Sequence, residues 1–383
     1  LPDKPSIAVL PFQNLSDDPE QEYFAEGVVE DIITALSRFK SLFVIARNSS
    51  FAYKGKTIDT KQIGQELGVR YLLEGSIRKS SEQVRVTGQL IEATTGAHLW
   101  ADRFDYPLDE IFSLQDKVTM SVVGAIAPRL LDARTESVVR KPSIEWEAYD
   151  RYLQAVKLQH QWTVDATLAA QDVLRDVIRL DPQFALAYAR FAWGVQALRV
   201  QYQQPISEAQ RIEALSLAEK ALSLAGDDEV VLTSVVSVFA FLANDVQRGR
   251  QLAERAAAIN PNMSGAWNMR GVMCLVLGEA DIALDSFGRV IRLNPLDPRA
   301  IPLAMFGCSA ACLFLEKYEE SEIWVRKMLA LNPTDIRGLF QLLGVLIARE
   351  KNDEAEATVA LIKREHPNLR ATQLRMTYRI LRP

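Results

Sequence analysis

Residues 264–295 read SGAWNMRGVMCLVLGEADIALDSFGRVIRLNP, and this stretch decides the architecture of most of the chain. Trp267, Gly271, Ala283, Phe287 and Pro295 fall at its 4th, 8th, 20th, 24th and 32nd positions. Small residues at the 8th and 20th places let two helices approach closely, and the large ones fill the notch between them. The closing phrase Leu293-Asn294-Pro295 returns along the C-terminal two thirds of the chain. It stands as Leu180-Asp181-Pro182, Ile259-Asn260-Pro261, Leu331-Asn332-Pro333 and Glu365-His366-Pro367, each ending an apolar, alanine-rich helical stretch. Leu224-Ala225-Gly226-Asp227 is a degenerate copy. The steps between copies are 44, 35, 34, 38 and 34 residues. A unit of that length is one helix pair that cannot bury its apolar side alone, so successive pairs must stack.

This pattern resembles the tetratricopeptide repeat, whose arrays bind peptides or proteins and carry no chemistry of their own. The expected array covers residues 141–383, opening on the linker Lys141-Pro142-Ser143, with six helix pairs and a capping helix over Leu369–Leu381. The second unit matches less fully: Tyr188, Phe191 and Ala192 precede a long loop at 201–205, and Ala214, Ala218 and Ala221 follow it. The first helix of each pair lines the concave face of such an array. By register, Trp193, Asn268, Arg270, Arg337 and Phe340 lie on or near that face, the candidate groove for an extended or helical peptide. Ordinary repeat packing would use the same residue types.

Residues 1–140 have a different grammar. Ser6–Phe12 is a buried strand entering a loop, and Asp17-Asp18-Pro19 opens a helix whose face is Phe24, Val28, Ile32, Ala35, Leu36 and Phe39. Leu42–Ala46 is a second strand. Asp59 caps a short helix that Gly68 ends. Three strands follow, over 71–78, 84–92 and 97–104, turning at Ser80-Ser81-Glu82 and Thr94-Thr95-Gly96. A last helix runs from near Asp109 to Leu130. The order β-α-β-α-β-β-β-α is an α/β sandwich.

Five segments of this region, Ser6–Phe12, Tyr23–Gly27, Phe43–Ser50, Leu73–Ser76 and Gly96–Trp100, resemble the TolB-like amino-terminal domain. That domain precedes tetratricopeptide repeats in bacterial proteins. The resemblance implies an upstream neighbour that is either a class III adenylate/guanylate cyclase domain or a winged-helix DNA-binding domain, with Glu22–Ser50 closest to the cyclase group. The opening Leu1-Pro2-Asp3-Lys4-Pro5, without Met, reads as the middle of a longer protein. The resemblance further implies a regulatory and interaction role in cyclic-nucleotide signalling, no cofactor, and a possible homodimer. A transcription regulator or a free-standing envelope-associated scaffold is the alternative.

Composition narrows the chemistry. The net charge is −5 and hydrophobic content is 48%, so nothing global points to nucleic acid. The locally basic end (Lys363, Arg364, Arg370, Arg375, Arg379, Arg382) reads as a solvated face. No run of 18 apolar residues exists and no signal peptide is visible, which sets a cytoplasmic expectation, with the periplasm as alternative. Cys274, Cys308 and Cys312 read as buried small residues in a reducing compartment. Gly55-Lys56-Thr57 is like the end of a phosphate-binding loop, but Ser50 stands where the first glycine is needed. His98, His160 and His366 are scattered; Glu26, Glu30 and Asp31 share a helix, with Glu26 and Glu30 on one face that reads as solvated rather than as a catalytic pair. The metal-binding aspartates of a class III cyclase are missing, so no activity is expected of these residues alone. One small site is expected where strands of the α/β region end: a polar crevice of Asn14, Arg47, Asn48 and Ser49, able to hold a small effector or a peptide carboxylate.

Overall fold

The computed structural model describes residues 4–16, 18–80, 82–126 and 146–367. A small sheet opens the chain. Strands β1 (Ser6–Val9), β3 (Phe43–Val44) and β4 (Tyr71–Lys79) run parallel; β5 (Gln83–Glu92) pairs antiparallel with β4, and β6 (Ala97–Pro107) pairs antiparallel with β5. The order across the sheet is β3-β1-β4-β5-β6, and a two-residue strand β2 (Gln13–Asn14) pairs with β4 beyond the end of β1.

Alternation along the strands divides their side chains between two cores. Ile7, Val9, Leu73 and Ile77 face α1 (Glu22–Ser37) and α4 (Ile111–Ile126). Ala8, Leu10, Ile45 and Leu72 face α3 (Thr60–Leu67) through Ile63 and Leu67. Asp59 caps α3 by accepting from the Lys61 amide at 2.8 Å, and Gly68 ends it at φ +64°, a conformation costly for other residues.

The segment after β3 departs from the sequence expectation. The expected strand over 42–46 is paired only at Phe43–Val44, because the backbone then leaves the sheet: the Ala46 amide donates to the Leu293 carbonyl at 2.8 Å. Residues 47–51, which hold three of the residues expected to form a polar crevice, form a short helix, α2 (Arg47–Phe51).

From residue 146 the chain is helical. The described residues form six antiparallel hairpins: α5 (Trp146–Gln159) with α6 (Val164–Leu180), α7 (Ala185–Val200) with α8 (Glu208–Ala225), and α9 (Glu229–Leu242) with α10 (Val246–Ile259). They continue as α11 (Ser264–Val276) with α12 (Ala280–Leu293), α13 (Ala300–Phe314) with α14 (Tyr318–Leu331), and α15 (Ile336–Ala348) with α16 (Asn352–Glu365). These are stacked helical hairpins of the tetratricopeptide type. The expected boundary at 140/141 and the capping helix over 369–381 lie outside the described residues.

The recurring phrase acts as a helix stop. Asp181, Asn260, Asn294, Asn332 and His366 each close an α-turn and then take φ between −126° and −145°, outside the helical region. The proline that follows disfavours helical φ/ψ at the residue before it and brings no N–H, so the helix cannot continue. Inside the stack, Phe287 is gripped by two glycines. A Cβ at Gly271 would lie 2.8 Å from its ring, and one at Gly307 would lie 2.5 Å from it. The expected small–large pairing of Gly271 with Phe287 is therefore a real contact, and the next hairpin extends it.

Candidate functional site

The apolar core does not stop at the edge of the α/β region. One continuous cluster runs from the sheet, through α1, into the hairpins. Helix α1 therefore has two buried sides. Phe24, Val28, Ile32 and Leu36 meet the sheet. On the other side Gly27 faces Leu153 of α5 so closely that a Cβ there would lie 2.5 Å from Cδ2. Asp31 accepts hydrogen bonds from the hydroxyl of Tyr149 and, at 2.9 Å, from Gln115 Nε2. Tyr23 donates to Asp150 at 2.9 Å, and Lys79 pairs with the same carboxylate at 2.9 Å.

Further along, the repeat turns take over. The Arg38 guanidinium reaches Glu229 at 2.7 Å and Asp228 at 3.4 Å. Asn260 Nδ2 donates to Ser37 Oγ at 2.7 Å and to Glu229 at 3.3 Å. Asn262 Nδ2 donates to the carbonyls of Ser37 and Leu42 at 2.9 and 3.1 Å. One turn on, the Ser49 hydroxyl donates to Asn294 Oδ1 at 2.7 Å and accepts from the Leu296 amide at 2.9 Å. Asn48 and Asn294 both donate to Asp297 Oδ2 at 2.7 Å. Glu229 and Asn260 are 1% and 0% exposed, so these bonds are made away from water, where a lost partner is most costly.

A charged cluster closes the middle of the contact. Arg47 pairs with Glu26 at 2.7 Å and Glu30 at 3.2 Å, and Arg190 of α7 lies 4.0 Å from Glu30. Lys54 ties Glu22 and Glu26 at 2.9 and 2.5 Å. Burial alone would raise the Glu30 carboxyl, but Arg47, His160 and Arg190 overcome it and hold the group below its ordinary value. Burial pushes His160 down to about 4, with Arg47 and Arg190 adding to the effect while Glu30 and Glu26 oppose it. Burial raises the Tyr152 hydroxyl to about 12. At neutral pH the cluster sets carboxylates of α1 against guanidinium groups of α2 and α7, beside a neutral imidazole.

The residues singled out from sequence are distributed as follows. Arg47, Asn48 and Ser49 sit together on α2, and Asn48 and Ser49 contact the turn between α12 and α13. Asn14 is held by its own turn: its side chain accepts from the Ser16 amide at 3.0 Å and donates to the Asp18 carbonyl at 3.3 Å. Trp193 packs edge-on against Trp162 at 5.8 Å, and Arg299 covers Trp162 at 4.8 Å. Asn268 is half-buried on α11. Arg270 donates to Ser286 at 2.7 Å and lies 3.9 Å from Glu254, so it is directed toward the second helices α10 and α12. Arg337 pairs with Asp335, the cap of its own helix, at 2.6 Å, and Phe340 is half-buried on α15. Sequence reasoning did not single out Asn260, Asn262, Asn294, Asp297, Glu229 or Arg190. The repeated Asn marked the helix stops, but nothing local separates copies that meet α1 and α2 from those that do not.

The remaining motifs are structurally quiet. Gly55 has φ +70° and no neighbour within 4 Å of its absent Cβ. Burial raises the thiols of Cys274 and Cys308 to about 11 and about 12. Among the described residues no group of three or more His, Cys, Asp or Glu could hold a metal ion, and no helix is long and apolar enough to cross a membrane.

Comparison with known proteins touches both regions. Residues 3–121 match the family model of the HilA/YgeH-like transcriptional regulator, second domain. A Rhizobium meliloti (strain 1021) protein named "Putative adenylate cyclase 3" is 43% identical over 228 residues, 60% of this chain. The match takes in 39% of that protein, so the chain spans well under half of this relative. Among solved structures, the type IV pilus biogenesis factor PilW superposes with a TM-score of 0.49 at 15% identity, covering 59% of this chain and 97% of that one. PilF of Pseudomonas aeruginosa gives 0.46 at 19% identity over 58% and 94%. A tetratricopeptide repeat protein of Parabacteroides merdae gives 0.43 at 18% identity over 61% and 86%.

Proposed function

We propose that this chain is the regulatory and protein-interaction part of a class III adenylate or guanylate cyclase, and that its α/β region is a TolB-like domain. The observation that carries this reading is the 43% identity to the Rhizobium meliloti protein, whose name is that of a cyclase. A stack of helical hairpins supports recognition, since such arrays present long surfaces to proteins and peptides. The chain itself does no chemistry. It acts in the cytoplasm, the periplasm being the alternative, and joins a covalently linked catalytic domain, with a homodimer as the natural assembly. Partner contact falls on the inner face of the array, with Trp193, Asn268, Arg337 and Phe340 as its first candidates.

A second reading has its own observation. The match of residues 3–121 to a transcriptional-regulator domain favours a winged-helix domain in place of the cyclase. One experiment separates them. The chain is expressed joined to whatever its gene encodes before residue 1, and cyclic-nucleotide formation from ATP and GTP is measured beside this chain alone. Formation only by the longer protein supports the first reading. A longer protein that makes no cyclic nucleotide and shifts promoter DNA supports the second.

A further inference from the structure

Helix α1 reaches the first helices of three successive hairpins, crossing α5 and α7 and meeting α9 at its first residue. Gly27 meets Leu153 and Asp31 meets Tyr149 on α5, Glu30 meets Arg190 on α7, and Arg38 meets Glu229 on α9. In a stack of helix pairs the first helices form the inner surface, where a bound helix or peptide lies. At 100° per residue, positions 27, 30, 31 and 38 fall within about a third of the helix circumference. They form one stripe with a glycine notch, an acidic middle and a basic end. The opposite side of the helix is apolar and belongs to the sheet. Charges are complementary along the stripe: carboxylates meet a hydroxyl and a guanidinium, and the guanidinium of Arg38 meets carboxylates.

We propose that α1 is the resident ligand, in cis, of the inner surface formed by α5, α7 and α9. The α/β domain is held by the surface that would otherwise receive a partner. That partner is a helix with the same stripe: a small residue, two acidic residues one turn on, and a basic residue two turns later. It can bind only by displacing α1. The proposal rests on the recognition role above and deepens it by naming the ligand chemistry and the contact that blocks it.

The test uses the full chain and a labelled synthetic peptide of residues 18–40. Gly27→Arg drives a side chain into Leu153. Arg38→Glu, which leaves the apolar side of α1 untouched, is the second route should the first not fold. Amide exchange in α5 and α9 reports undocking. We expect the variants to exchange faster there and to bind the peptide at least tenfold more tightly than the unaltered chain. A peptide carrying Glu30→Arg and Arg38→Glu should lose that binding. Equal binding by the unaltered chain, no binding by undocked variants, or variants that stay docked would each overturn the proposal. None of these results bears on cyclic-nucleotide formation or DNA binding, so the failure of the broader function is read separately.

Discussion

Asn260 and Asn332 occupy the same place in the same phrase, and replacing each by Ala separates local from tertiary energetics. Both side chains make the same local bond: Asn260 Oδ1 accepts from the Asn262 amide at 3.1 Å, and Asn332 Oδ1 from the Thr334 amide at 3.4 Å. Only Asn260 adds bonds to Ser37 and Glu229, and it is fully buried, whereas Asn332 is exposed. Each net hydrogen bond contributes about 1 kcal/mol, and a buried donor left without a partner costs about 1–3 kcal/mol. The orphan here is the amide of Asn262, itself buried. Asn260→Ala should therefore destabilise by about 2–4 kcal/mol, and Asn332→Ala by about 0.5 kcal/mol. Urea unfolding followed by far-ultraviolet circular dichroism, with Ser37→Ala and the double variant completing a cycle, measures both. Losses equal within about 0.5 kcal/mol, or a cycle with no coupling between Asn260 and Ser37, would refute the buried-turn argument.

Two further outcomes are expected. His160 has a folded pKa of about 4 against an ordinary 6.5, so the unfolded chain binds more protons between those values. Stability should be fully present above pH 6.5 and fall as pH drops toward 4, by no more than about 3 kcal/mol; His160→Gln should flatten that slope in urea midpoints taken at pH 7 and pH 5. The turns inside the hairpins place one residue at positive φ: Gly278 at 80°, but Glu316 at 58° and Glu350 at 57°. Relief of the left-handed strain predicts that Glu350→Gly raises stability by about 1 kcal/mol and Gly278→Ala lowers it by a similar amount, read as opposite shifts in thermal midpoint.

Much of the helical region was legible because its signals are local. Pro182, Pro261, Pro295, Pro333 and Pro367 mark helix stops through a missing N–H, and Gly271 with Phe287 marks a close helix crossing through size alone. Asp59 and Gly68 bracket α3 by capping chemistry. Less was legible around residues 42–51. Their apolar start reads as a strand, but β3 shortens and α2 forms where the backbone bonds to Leu293 and Asn294, residues some 245 positions away. Arg270 was placed on the inner face by register, yet its length lets it reach Ser286 and Glu254 between the second helices.

The phrase that ends the helices states the division most clearly. Leu-Asn-Pro, by itself, determines that a helix stops, because proline forbids the next turn whatever surrounds it. It leaves open what the asparagine then binds. Asn294 is buried against Ser49 and Asp297, while Asn332, in the identical phrase, faces solvent. That choice was made by the tertiary structure alone: hydrogen-bond partners and exclusion of water are set by which surface α1 and α2 cover, and no neighbour in sequence carries that information.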